Sequence, residues 1–384
     1  MKIDPNKNKE KYLNWRERVK DRIPDVTKEN SDIILSYLTD MQIGANVGTK
    51  SVKGGRSYTS LNSKRDKMFF FARHFEQRFK FKCITEITED QLIRFFADMK
   101  NGILRKPDGE VYISTDTFGR AFKTFWHWWM KVNKKKGVEI TDITTDLDTR
   151  QEKPDWVYLT EEEVKRFADS ANYKYKVLIW FLYDTGIRAP TELVNVRVSD
   201  LYNECKEVNI RQESAKTFGR RIKLMLCSDL LKEYIKNFNL KPEDQLFNIN
   251  ASVANRQLKR FAKKIFPNEA SPAGQRYWQL SLYDFRHCSC CYWLPRYKSE
   301  SALKYRFGWK KSDKIHYYSE LLGMKDTIAE EDLLIDTTKT DIEKRLEQSE
   351  KEKIIIQERL KTMELQMANI MELVKQAEIV HKKE

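Results

Sequence analysis

Residues 183–201 read YDTGIRAPTELVNVRVSDL, residues 281–294 read SLYDFRHCSCCYWL, and residues 306–321 read RFGWKKSDKIHYYSEL. An apolar run from Lys176 to Asp184 continues toward the Thr185-Gly186-Ile187-Arg188 segment. A lone arginine near a helix end is ordinarily a surface or salt-bridge residue, so Arg188 gains meaning only from what surrounds it. In the second segment Cys288, Cys290 and Cys291 beside His287 invite a zinc reading. The C-x-C-C spacing fits no usual zinc pattern, and on a helix the three thiols point to different faces. Buried thiols without metal are the expectation.

Working outward, Glu207 to Gln212 and Arg221 to Leu226 read as two strands joined by a turn at Thr217-Phe218-Gly219-Arg220. Ile222, Leu224 and Leu226 alternate as a half-buried strand requires. Thr160 with Glu163 is a capping box opening a helix through Val164, Phe167, Ala168 and Ala171. The charged stretch 133–156 lacks a helical pattern and holds Pro154, which places an interdomain linker at 146–156.

Upstream, residues 26–145 read as a helical domain. Ile33, Ile34, Leu38 and Met41 share one face, and a second capping box, Thr88 to Gln91, opens a helix with Leu92, Phe95, Phe96 and Met99 inside. Phe118, Phe122, Phe125, Trp126 and Trp129 recur at helical spacing, as a core stripe does; a base-stacking platform is the alternative. Residues 1–25 read as a polar, basic arm. After a connecting segment at 326–340, a four–three spacing runs from Ile342 to His381 across 341–380. Ser349, Lys353 and His381 are its only non-apolar positions. That is a coiled-coil pattern. A single helix folded back on its own domain is the alternative.

A chain of 384 residues is long enough for two domains plus extensions. Lys and Arg total 71 against 57 Asp and Glu, a formal +14 that favours a polyanionic partner, nucleic acid first. Aromatics at 12% exclude a disordered basic tail. The N-terminus has no apolar signal region, and no stretch approaches ~18 uninterrupted apolar residues, so neither secretion nor a membrane span is expected. Six cysteines without a framework fit a cytoplasmic, reduced chain.

Together the three segments and the basic hairpin resemble the tyrosine recombinase (phage integrase) family. The likeness is good over 157–325 and looser over 26–145, which is similar to the family's helical core-binding domain. It implies a mainly α fold with a small antiparallel β-sheet: a core-binding domain plus a catalytic domain, here followed by the C-terminal coiled-coil helix. By resemblance Arg188 falls on the first catalytic arginine, with Glu192 supporting its turn from four residues away where many members have three. Lys216 falls on the hairpin lysine, Arg286 on the second catalytic arginine, and Trp309 on the His/Trp position. Tyr283 stands where the family usually has His. Tyr318 is the implied nucleophile, nine residues after Trp309 and three before Leu321, with Tyr317 as the competitor. His287 follows the second arginine and is expected to be structural, with proton acceptance as the alternative.

The implied chemistry explains these residue types. Two guanidiniums hold the non-bridging oxygens of a phosphodiester in bidentate geometry, which lysine cannot copy. The tyrosine becomes a 3′-phosphotyrosine, Lys216 protonates the leaving 5′-oxygen, and Trp309 offers an indole N–H. A Tyr283 phenol with pKa near 10 is a poor base at neutral pH, so slower chemistry is expected. The ester conserves bond energy, so no ATP is implied, and because Arg and Lys supply the electrostatics no metal or other cofactor is implied either. The implied partners are double-stranded DNA and further copies of the chain, a tetramer on two duplexes, with coiled-coil self-association besides. The competing readings are a catalytically retired DNA-binding protein on this fold, a coiled-coil scaffold, and a relaxing topoisomerase with the same chemistry.

Overall fold

A computed structural model describes residues 3–48, 53–150, 156–297 and 299–321, together with helical positions between 349 and 367. Met1–Tyr318 form one compact unit and Ser319–Glu384 a second.

The first half of the larger unit is all-helical: α1 (Asn8–Arg18), α2 (Lys28–Ile43), α3 (Tyr58–Phe79), α4 (Glu89–Lys100) and α5 (Thr115–Lys134). Thr88 and Gln91 cap each other at the start of α4, the glutamine Oε1 accepting the threonine N–H at 3.0 Å. The aromatic stripe of α5 is core. Phe122, Phe125, Trp126 and Trp128 are buried. Trp128 goes fully inside, with its indole N–H on Asp40 Oδ2 at 2.8 Å, while Trp129 is only half-buried. The stretch read as a polar, basic arm contains α1, which packs onto the helical half. Tyr12, Trp15 and Val19 recur every three or four residues, so α1 has a narrow apolar stripe inside a polar sequence. That stripe packs on α3, with Tyr12 and Tyr58 ring centroids 5.8 Å apart and Trp15 and Phe69 also 5.8 Å apart. Ahead of it, the Ile3 backbone exchanges two hydrogen bonds with the Asn195 side chain, at 2.7 and 2.9 Å, joining the chain start to the second half.

The second half holds α6 (Glu161–Asp169), α7 (Tyr173–Thr185), β1 (Leu201–Tyr202), β2 (Glu207–Ile210), β3 (Arg220–Lys223), α8 (Ser228–Asn237), α9 (Ala251–Ile265), α10 (Asp284–Trp293), α11 (Glu300–Phe307) and α12 (Asp313–Leu321). The strands form one antiparallel sheet in the order β1-β2-β3, with Val208 opposite Ile222 and Ile210 opposite Arg220. The fold is thus mainly α with a small antiparallel sheet. The strands are shorter than the sequence pattern indicates, and residues 211–219 form the connection rather than a tight turn. Strand β3 ends at Lys223 because the N–H groups of Met225, Leu226 and Cys227 turn onto Asp184 Oδ2 (2.9, 2.7 and 3.3 Å) and leave the ladder. The box at Thr160 forms as read, Glu163 Oε2 accepting the Thr160 N–H at 2.8 Å.

Among the described residues no helix is long and apolar enough to cross a membrane. The connecting segment 326–340 and most of the coiled-coil stretch lie outside the described residues. Of the positions described there, Ile356, Leu360, Met363 and Met367 are helical and each more than half exposed.

Candidate active site

Helix α7 stops at Gly186, which has φ +58, and a Cβ there would meet Phe307 Cε1 at 2.3 Å. Only glycine fits a left-handed cap with no room for a side chain. The stop delivers Arg188 into a loop where its guanidinium is fixed twice. Nη1 donates to Glu192 Oε1 at 2.9 Å and Nη2 to the Gly308 carbonyl at 2.9 Å. Glu192 Oε2 also accepts the Arg188 N–H at 2.8 Å, so the four-residue spacing supports the turn as three would.

Glu192 serves a second arginine that the sequence reading placed in a turn. Arg220, at the start of β3, is fully buried, donates to Glu192 Oε2 at 2.9 Å and Oε1 at 3.2 Å, and turns Nε to the Arg306 carbonyl at 2.8 Å. Burial alone would raise the Glu192 pKa, but Arg220 and Arg188 hold it down at about 2. Arg286, on α10, is buried; it donates to the carbonyl of Gly186 at 2.5 Å and that of Phe307 at 2.6 Å. Burial and the neighbouring Arg188 both pull its pKa down, which marks crowding of positive charge. Two guanidiniums thus share one carboxylate, and the third is held by backbone carbonyls. The cluster keeps a net positive charge in a water-poor site, and a bound anion relieves it.

Gly308 ties the cluster to the β2–β3 connection. Its carbonyl accepts both Arg188 Nη2 and, at 2.8 Å, the Thr217 hydroxyl. Its φ of +62 is a backbone conformation that favours glycine, and a Cβ there would crowd the Arg220 Nη1 at 3.1 Å. Thr217 is the neighbour of Lys216, which is exposed. Lys216, Arg188 and Tyr283 line a cleft of about 1020 Å³ whose opposite wall carries Lys64, Lys67 and Arg120 from α3 and α5. Lys64 is half-buried, and burial together with Arg56 and Lys67 lowers its pKa to about 8. Basic side chains therefore stand on both walls.

Tyr318, on α12, is 4% exposed, and burial pushes its phenol far above the ordinary value. Its ring stacks on Trp309 (centroids 5.9 Å apart, planes 13°), and the Arg286 guanidinium lies 6.0 Å from the same indole. Trp309 stands between the second arginine and the tyrosine. The Tyr318 hydroxyl is hydrogen-bonded to His287 Nδ1. His287 stacks on Trp156 (4.6 Å, 22°), whose indole N–H donates to the Tyr317 hydroxyl at 2.8 Å. Trp156 is itself held because the segment after it runs along α10: Asp284 Oδ1 accepts the Val157 N–H at 3.4 Å and Cys288 Sγ the Leu159 N–H at 3.3 Å. Cys288, Cys290 and Cys291 are buried and unpaired, and no metal-binding group of three ligands occurs among the described residues.

The six residues singled out from the sequence divide in two. Arg188, Lys216 and Tyr283 line the cleft, while Arg286, Trp309 and Tyr318 pack on one another in turn. Tyr283 is 44% exposed, with its ring 5.3 Å from His287. Sequence reading missed Arg220, Trp156 and the hydroxyl bond of His287. Only Arg220 left a signal: beginning the strand one residue earlier puts it on the buried face with Ile222 and Leu224.

The phage integrase family model matches residues 157–323. No curated protein sequence matches the chain. Among solved structures, the chain is similar to the XerH site-specific recombinase bound to palindromic difH substrate in a post-cleavage complex (TM-score 0.55, 14% identity, 78% of this chain and 95% of that one). It is similar to the Tn1549 transposon integrase with circular intermediate DNA (0.53, 17%, 77% and 99%). It is similar, too, to a lambda integrase dimer bound to a COC′ core site (0.52, 12%, 78% and 79%). At such identities these likenesses establish the fold.

Proposed function

We propose, from the premise that residues 157–323 belong to the phage integrase family, that this protein is a site-specific DNA recombinase working through a covalent bond to Tyr318. One observation carries the reading: Arg188 and Arg220 share the single carboxylate of Glu192, buried Arg286 is held by backbone carbonyls alone, and all lie beside a cleft with basic residues on both walls. A phosphodiester is the anion such a site is short of. Donors held by backbone carbonyls need little reorganisation as charge grows on the phosphorus, which is where fixed positive groups are worth most.

The roles follow. Arg188 and Arg286 hold the non-bridging oxygens, and the Trp309 indole N–H adds a donor. The Tyr318 oxygen attacks phosphorus, the P–O5′ bond breaks, and the 5′-oxygen takes a proton from Lys216. Reversal by a 5′-hydroxyl from the same or another strand rejoins the DNA without ATP, and no metal is needed for the electrostatics. Tyr283 supports the phosphate by hydrogen bonding. Exchange between two duplexes calls for several copies, and we take the working assembly to be four. The domain boundaries at 26–145 and 157–325 belong to the same reading.

The test is covalent capture. Labelled duplexes from DNA flanking the gene are incubated with the protein in EDTA and resolved under denaturing conditions. A protein–DNA adduct forms with the wild type and not with Tyr318→Phe, which still shifts DNA in native gels. An adduct lost in Tyr317→Phe instead moves the nucleophile by one residue. A strict need for divalent metal contradicts the mechanism.

A further inference from the structure

We infer that His287, rather than Tyr283, takes the proton from Tyr318 in the cleavage step, an assignment that rests on Tyr318 being the nucleophile. The His287 Nδ1 is the hydrogen-bond partner of the Tyr318 hydroxyl. A candidate base must first be within reach of the proton it removes, and Tyr283 makes no hydrogen bond to Tyr318 among the described residues. The imidazole is also held in place: it stacks on Trp156, which Tyr317 anchors through the indole N–H. A residue with a merely structural task would not need its ring nitrogen on the one hydroxyl that reacts.

The groups facing His287 are Tyr283 and Arg286 from its own segment, Lys314 and Tyr318 from α12, and the uncharged Trp156. Burial, then Arg286 and Lys314, lower its pKa to about 3. It is therefore neutral at physiological pH, and we assign its ring N–H to Nε2, the tautomer that leaves the Nδ1 lone pair for the hydroxyl. An incoming phosphodiester brings negative charge next to Arg286. That offsets the cation holding the imidazole down, so proton affinity rises when DNA is bound. In the step, the Tyr318 O–H bond breaks and an N–H bond forms on Nδ1, giving an imidazolium. The phenolate oxygen bonds to phosphorus as the P–O5′ bond breaks, and Lys216 supplies the 5′-oxygen's proton. On rejoining, the imidazolium returns its proton to the departing tyrosine. Tyr283 then needs only to donate to the phosphate, which a phenol does well.

The experiment is single-turnover cleavage of a nicked suicide duplex by the full-length protein from pH 5 to 9. Binding is followed in parallel by gel shift and folding by thermal melting. Wild type should be nearly flat over this range. His287→Asn should cleave ~10²-fold more slowly at pH 7, with a rate rising about tenfold per pH unit as hydroxide replaces the lost base. Added imidazole should restore much of the activity of His287→Gly, which also covers a folding defect in the asparagine variant. Tyr283→Phe should lose rate through its phosphate contact, less than His287→Asn does, while keeping the flat pH profile of the wild type and gaining nothing from imidazole. Wild-type rate and pH profile in His287→Asn, no imidazole rescue, or the main loss appearing in Tyr283→Phe each overturn the inference. The underlying reading fails differently: no Tyr318-dependent adduct forms even with wild type.

Discussion

Glu192→Gln isolates what one buried charge does for this site. The substitution keeps the shape and an acceptor oxygen but removes the negative charge that Arg188 and Arg220 share. Glu192 is 1% exposed, so solvent screens little of the interaction. Its carboxyl titrates at about 2 instead of 4.5, and that separation corresponds to ~3.4 kcal/mol of folded-state preference for the ion. The sign follows from the lowered value. The stabilisation is complete above the unfolded pKa and is lost as pH falls toward the folded one. At pH 7 the variant should be less stable by ~3 kcal/mol, a melting drop of roughly 5–10 °C. At pH 3 the gap should narrow to ~1.4 kcal/mol. Differential melts of the two proteins at pH 7, 5 and 3 measure this directly. A deficit below ~1 kcal/mol at pH 7, or one that does not change with pH, would refute the view that the carboxylate balances the arginine cluster.

Lys216→Ala should cleave ordinary DNA poorly yet regain most of its rate on a duplex whose scissile 5′-oxygen is replaced by sulfur, a leaving group that needs no proton. Arg286→Ala should gain far less from that substrate, and equal failure of both removes Lys216 as the acid. Deleting 341–384 should leave cleavage of one site largely intact and weaken recombination between two sites, most at low protein concentration. Sedimentation of a 338–384 peptide checks the cause, and a strictly monomeric peptide at high micromolar concentration favours a fold-back helix.

Legibility in the sequence followed the range of the physics. Capping boxes at Thr88 and Thr160 were readable because their partners lie three residues apart. The α5 stripe was readable because one helix face repeats. The first helix hid because only Tyr12, Trp15 and Val19 mark it among charged residues. Strand ends were misjudged because Asp184, from a different element, captures three N–H groups. Arg188 and Arg286 could be named from their motifs, but not the sharing of one carboxylate by Arg188 and Arg220. Position along a chain does not say that Arg220 Nη2 and Arg188 Nη1 meet the same side chain. The His287–Tyr318 hydrogen bond was hidden for a similar reason, since the two residues lie thirty-one positions apart.

The carbonyl of Gly308, which receives both Arg188 and Thr217, has a consequence for how this site tolerates change. One peptide group sets the position of the first arginine and of the connection that carries Lys216. Substitutions at 188, 217 and 308 should therefore be epistatic, each costing less once another is present, because the first to break the shared contact leaves the others less to lose. Screening these positions one at a time would overstate their separate worth. Redesign of the connection would succeed only by paired replacements that move both donors together.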